Sequence, residues 1–154
     1  MAHRADRPAT WFVTGASRGL GLALVTHLLR DGQRVAATTR SADRLLDALG
    51  ELDDLDTSGL LALEVQLTDE RSVGEAVDRA HAALGGLDVV VNNAGYGFLG
   101  AVEETSDADV QGLLDVQVRG TWNVIRAVLP AMREAGWGRI INISSILGMV
   151  TFPG

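Results

Sequence analysis

The 154-residue sequence predicts an α/β fold built on a parallel sheet. Three observations carry that expectation. Five short apolar or β-branched runs alternate with amphipathic helical patterns, as in βαβ units joined by right-handed crossovers. The first run, Trp11-Phe12-Val13, leads straight into a glycine-rich turn and then a helix. The fourth, Leu87-Asp88-Val89-Val90-Val91, has the β-branched character of a parallel strand covered on both faces.

Each element has its own local reason. Residues 9–14 read as a buried strand. Residues 20–31 read as a helix ending near Gly32, with Leu24, Leu28 and Leu29 on its apolar side. Arg34 to Thr39 is a second strand. Ser41 can cap a short helix over 42–50, with Leu45, Leu46 and Leu49 facing inward. An acidic loop, Glu51 to Asp56, and Thr57-Ser58-Gly59 lead to a third strand, Leu60 to Leu67. Thr68-Asp69-Glu70 places acid at a helix start. Val73, Ala76, Val77, Ala80 and Leu84 then follow helical spacing, and Gly85-Gly86 ends that helix. After the fourth strand, Ser106-Asp107-Ala108-Asp109 forms a variant capping box. It opens one long helix to about Ala135, with Pro130 near its end. Gly138 to Ser144 is a fifth strand.

Composition sets the class. The length predicts one domain over residues 1–154. A chain of this size buries roughly 70% of its unfolded surface, and 47% hydrophobic residues suffice for a core. A net charge of −7 argues against nucleic-acid or anionic-membrane partners. With no cysteine there is no disulfide framework and no thiolate metal site. His3, His27 and His81 lack ligand spacing and read as surface residues. The N-terminus has no apolar signal core and no run approaches a membrane span, so the expected location is the cytoplasm.

In parallel sheets of this kind, ligands bind at the carboxyl ends of the strands. Thr14, Thr39, Gln66, Asn92 and Ser144 all fall there. The turn Thr14-Gly15-Ala16-Ser17-Arg18-Gly19-Leu20-Gly21 aims backbone N–H groups and a helix N-terminus at one spot, which favours an anion. Its glycines can serve the tight turn, close approach to a pyrophosphate, and close helix–strand packing. Its G-x-x-x-G-x-G spacing differs from the G-x-G-x-x-G fingerprint. No Gly-Lys-Ser/Thr follows, so it is not a P-loop.

This turn, together with Asn92-Asn93-Ala94-Gly95 and Asn142-Ile143-Ser144-Ser145 with Gly148, resembles the short-chain dehydrogenase/reductase family. The resemblance runs over residues 9 to 154. It implies a Rossmann-like doubly wound sheet with strand order 3-2-1-4-5, incomplete on the C-terminal side. It also implies a nicotinamide cofactor along the strand rim and a small carbonyl or alcohol substrate. Gly15, Gly19 and Gly21 would shape the turn, and Ser17, Arg18 and Leu20 would lie against the phosphates and ribose. Asn93, Ala94 and Gly95 would line the adenosine and ribose side. Gln66 stands where the family commonly has an acid or Asn contacting adenine, with Leu67 beside it. At the end of the second strand, a carboxylate would bind the ribose 2′-OH. This chain has Thr39 and Arg40 instead, and Arg18 and Arg40 together could clamp a 2′-phosphate, so NADP(H) is expected over NAD(H). The alternative is that Arg40 is a solvated surface charge.

Ser145 matches the family's catalytic serine. Gln117, in Asp115-Val116-Gln117-Val118-Arg119-Gly120, stands at the family's catalytic Asn; it keeps an amide but adds a methylene. The family's active tyrosine and lysine would fall beyond Gly154. The only tyrosine, Tyr96, is out of position, and all 13 basic residues are Arg. The resemblance therefore implies an oxidoreductase whose 154-residue chain is inactive by itself. The alternatives are a non-catalytic NADP-binding module and a truncated gene product without its own function. Tyr96 to Gly100 reads either as a border of the substrate or as a plain loop. Full-length relatives are usually homo-oligomers. Here Arg139-Ile140-Ile141-Asn142-Ile143 would form a nearly uncharged edge, and Val116, Val124 and Val128 would lose partners, so the chain is expected to associate. Alternatively the tail 146–154 folds over that edge.

Overall fold

The computed structural model describes residues 7–150. Five strands form one parallel sheet: β1 (Thr10–Thr14), β2 (Arg34–Thr39), β3 (Leu60–Glu64), β4 (Val89–Asn92) and β5 (Arg139–Asn142). Their order is β3-β2-β1-β4-β5, the expected one. The helices are α1 (Gly19–Arg30), α2 (Ala42–Gly50), α3 (Glu70–Leu84), α4 (Asp107–Leu114) and α5 (Thr121–Ala135). No helix among the described residues is long and apolar enough to cross a membrane.

Strand alternation sends neighbouring side chains to opposite faces. Phe12, Ala36 and Val90 enter the core under α3 and α5, where Val73, Val77, Val124 and Val128 meet them. Val13, Val35, Ala37, Val89 and Val91 enter the other core, under Val25, Leu28 and Leu29 of α1 and Leu45 and Leu49 of α2. Both faces are thus covered, which explains why these strands read as continuous apolar runs.

The helix ends follow local chemistry. Asp69 caps α3 by accepting from Arg71 N, and Gly85 closes it in the left-handed region at φ +69°. Arg34 adds to that end by donating to the carbonyls of Ala83 and Leu84 at 2.8 and 2.9 Å. Ser106 and Asp109 form the full reciprocal capping box of α4. At the N-terminal rim of the sheet, Asp88 ties β4 to β1. Its carboxylate accepts from Thr10 N and Thr10 Oγ1, both at 2.9 Å, and pairs with Arg7. At the other rim, Asn92 donates to the Asn142 side chain at 2.9 Å.

Several expectations need correction. β3 stops at Glu64 rather than Leu67, because beyond Val65 this outer strand has no ladder to extend. Leu46 is exposed; α2 is short and peripheral, and Leu45 and Leu49 alone fill its contact with the sheet. Ser41 sits at the N-cap of α2 but its side chain makes no capping bond. The long helix is interrupted by a π-turn, Asp115–Gly120. Val124 and Val128 do not lose partners: both are fully buried against the sheet. The exposed apolar residues of this helix are Val110, Leu114, Val118 and Trp122 instead. His27 and His81 are exposed as expected, while His3 lies outside the described residues.

β5 is an outer strand, and Ile141 and Ile143 on and beside it are 42% and 45% exposed. The described part of the tail leaves them uncovered, with Ile146 and Met149 themselves exposed; residues 151–154 lie outside the described range. A β-branched edge whose one charge is Arg139 at its start is a template for pairing with another chain. We therefore expect light scattering to give a mass above that of a monomer, rising with protein concentration. Ile141→Lys should lower that mass. A monodisperse wild-type monomer would reject the expectation.

Candidate functional site

The site grows from the end of β1. Thr14 is buried there, and its hydroxyl accepts from the backbone N–H of Asn93 and of Ala94, both at 3.0 Å. The same hydroxyl donates to the Val91 carbonyl at 3.4 Å. Asn93 returns the contact: its Nδ2 donates to the carbonyl of Thr14 at 2.9 Å and to that of Gly15 at 3.3 Å. The glycine turn after β1 and the Asn-Ala-Gly loop after β4 are therefore one hydrogen-bonded unit.

The glycines of the turn are required by that closeness. Gly15 has φ +69°, and a Cβ on it would lie 2.8 Å from the Cα of Ala94. A Cβ on Gly21, in the first turn of α1, would overlap the Gly15 carbonyl oxygen and lie 2.6 Å from Asn93 Nδ2. Gly19 differs: a Cβ there would meet nothing, and it is its φ of +54° that favours glycine. Arg18 occupies the N-cap of α1 without a capping side-chain bond, and the first turn carries no acid. The N-terminal amides of α1 are thus left for an anion from outside.

Between these loops opens a cleft of about 460 Å³, within the range of small-molecule sites. Its lining brings together Gly15, Ser17, Arg18, Gly19, Leu20, Gly21, Thr39, Arg40, Gln66, Leu67, Asn93, Ala94 and Gly95, which are all the residues expected from sequence to face a cofactor. No acidic side chain is among the lining residues. Thr38, Val65, Tyr96 and Val116 complete the lining. The sequence offered a signal for three of them, since Tyr96 opens the stretch read either as a border of the substrate or as a plain loop. Thr38 and Val65 adjoin strand-end residues already singled out. Val116 reaches the cleft only because of the π-turn.

Ser145 and Gln117 stand outside the lining. Gln117 lies on the π-turn with its Oε1 above Gly95, 2.9 Å from where a Cβ would sit. Ser145 follows β5 on the same rim, and its carbonyl accepts from Gly148 N at 3.0 Å, in the turn Ile146–Gly148. The Tyr96 hydroxyl packs over Gly112 of α4, 2.8 Å from a Cβ position there.

Known proteins share this sequence pattern and fold. A family model described as short chain dehydrogenase matches residues 9–154. Oxidoreductase BOA17 of Botryotinia fuckeliana is 35% identical over 144 residues, covering 94% of this chain and 52% of that protein. A short-chain dehydrogenase structure from Streptomyces avermitilis is 35% identical with a TM-score of 0.85, covering 97% of this chain and 54% of that one. An alcohol dehydrogenase from Thermococcus sibiricus, solved with 5-hydroxy-NADP, is 29% identical with a TM-score of 0.84, covering 96% of this chain and 62% of that one. The chain spans about half the length of the curated relatives it matches.

The lock between the two loops can be tested directly. Thr14→Val keeps shape but strands the Asn93 and Ala94 amides, and should cost about 1–3 kcal/mol in urea unfolding. Thr14→Ser restores the hydroxyl and should recover most of that loss. Equal stability of wild type and Thr14→Val would show that the hydroxyl holds nothing.

Proposed function

Since this chain belongs to the short-chain dehydrogenase family of NAD(P)-using oxidoreductases, we propose that its cleft binds NADP(H) in preference to NAD(H). We further propose that residues 1–154 form one cofactor-binding domain of an oxidoreductase acting on a carbonyl or alcohol. One observation carries the cofactor choice. In a chain of net charge −7, the cleft presents two guanidiniums, Arg18 and Arg40, and no carboxylate. A ribose 2′-OH is bound by an acid at this strand end, whereas a 2′-phosphate needs cations.

The bound dinucleotide would supply or accept hydride at its nicotinamide ring. The chain's own residues do the rest. The open amides of the glycine turn and the N-terminus of α1 favour the pyrophosphate. Arg18 and Arg40, which line the cleft with Thr39, would hold a 2′-phosphate through charge-assisted hydrogen bonds. Gln66 and Leu67, also in the lining, would contact the adenine. The Asn93 amide is already committed to the Thr14 and Gly15 carbonyls, so Ala94 and Gly95 present mainly backbone to the ribose. Ser145 would hold the substrate oxygen, and Gln117 would take the place of the family's Asn.

A second reading, a cofactor-binding module without catalysis, concerns these 154 residues taken by themselves. This sequence has no lysine, and its one tyrosine hydroxyl packs against α4 rather than on the rim beside Ser145. Without a positioned donor, general acid catalysis of carbonyl reduction is lost. Purified 154-residue protein should therefore reduce no carbonyl compound above background. Turnover abolished by Ser145→Ala would overturn this.

Cofactor titration tests the binding proposal itself. Arg40→Ala removes a charge-assisted bond worth roughly 1.5–3 kcal/mol, a ten- to hundredfold loss in NADPH affinity. NADH binding should not change. Equal weakening of both nucleotides would reject a 2′-phosphate contact.

A further inference from the structure

Asn123 makes a polar contact that the cofactor reading above leaves unused. It lies in the first turn of α5 and is only 4% exposed, next to Val124 in the core. A carboxamide so buried is costly unless hydrogen-bonded. Its Nδ2 donates to the backbone carbonyl of Leu67 at 2.9 Å. Gly120, at the start of the same turn, lies beneath that residue. A Cβ there would stand 3.1 Å from Leu67 Cβ and 3.6 Å from its carbonyl oxygen. The loop is thus drawn onto the helix at a glycine, where a Cβ would press on the Leu67 side chain.

The loop needs this anchor. β3 is the outer strand of the sheet, and its ladder ends with Val65 N donating to Thr39 O at 2.8 Å. Beyond it, Gln66 N goes to Ser72 Oγ at 3.0 Å and Asp69 N to Gln66 O at 3.0 Å, both local contacts with the start of α3. The contact from Asn123 ties this wall of the cleft to the helix on the other side of β1. The same helical run carries Gln117 over Gly95, on the opposite wall.

We propose that Asn123 is a positioning residue for the cofactor: by holding the Leu67 carbonyl against α5, it sets the Val65-Gln66-Leu67 wall at the spacing the adenine end requires. This rests on the NADP(H) reading above. The test is Asn123→Leu, close in size and suited to the apolar surroundings but unable to donate. The expected result in hydrogen exchange is local. The amides of Val65, Gln66 and Asp69 should exchange about tenfold faster, while those of Asn93 and Ala94, held by Thr14, stay unchanged. NADPH affinity should fall about tenfold. Gly120→Ala, which favours the helix but pushes Leu67 from beneath, should give the same pattern with Asn123 intact. Unchanged local exchange in both variants, or faster exchange with unchanged NADPH affinity, overturns the proposal. Failure of the wild-type protein to bind NADPH overturns the cofactor reading itself, and the proposal with it.

Discussion

One hydroxyl joins the sheet to the site. Thr14 Oγ1 donates once, to Val91 O, and accepts twice, from Asn93 N and Ala94 N. That is the full capacity of a threonine hydroxyl. It is used at a position that the β1 core leaves no room to vary, since Thr14 follows the fully buried Phe12 and Val13. The carbonyls of Thr14 and Gly15 are taken in turn by Asn93 Nδ2. The glycine turn therefore cannot shift without the loop after β4. These two walls of the cleft are held together by the same bonds that finish the sheet.

What the sequence reveals divides along the range of the cause. Local causes are legible. The bounds of β2 and α2, the capping box at Ser106, and the left-handed stop at Gly85 follow from residues a few positions apart. The glycine turn is legible because its backbone needs specific residues, and Gly15 shows why: its φ is positive and it rests against Ala94. Causes from across the fold are not legible. Leu46 satisfies helical spacing, yet only the sheet decides how wide a face α2 must bury. β3 reads as far as Leu67 because its apolar run continues, but its ladder depends on a neighbour that ends at Thr39. Asn123 could have been noticed as a polar residue adjoining the Val124, Val128, Met132 stripe. Its partner on the β3–α3 loop could not.

Electrostatics in the cleft come from where acids are absent as much as from where arginines stand. The chain has 20 acidic residues against 13 basic ones. Asp88 is spent on the far rim, with Arg7 and Thr10. Glu70, Glu75 and Asp115 pair with arginines on helix surfaces. Such exposed pairs contribute about 0–1 kcal/mol each, so their effect on stability is small. Their effect on the field is larger, because they neutralise arginines away from the cleft while the cleft itself holds no acid. Glu64 comes nearest to an exception. Its carboxylate accepts from Ala42 N at 3.0 Å and fills the N-terminus of α2 with an internal anion. The N-terminus of α1 has no such occupant, which leaves it as the helix end open to a phosphate.

The π-turn reconciles two demands on one helix. Val116, Gly120, Val124, Val128 and Met132 are spaced by four; the first lines the cleft, the second meets Leu67, and the rest fill the core. In a regular α-helix each fourth residue runs ahead by about 40°, so four such steps would turn Met132 about 160° away from Val116. One could not then face the cleft while the other faced the sheet. A π-turn acts as one inserted residue, and takes back about 100° of that rotation. The remainder is about 60°, narrow enough for one apolar face. The residues Val110, Leu114, Val118 and Trp122, also spaced by four and crossing the same turn, stay together on the outer side for the same reason. The wide turn at Asp115–Gly120 is thus what lets a single helical run serve as core packing at one end and as a wall of the site at the other.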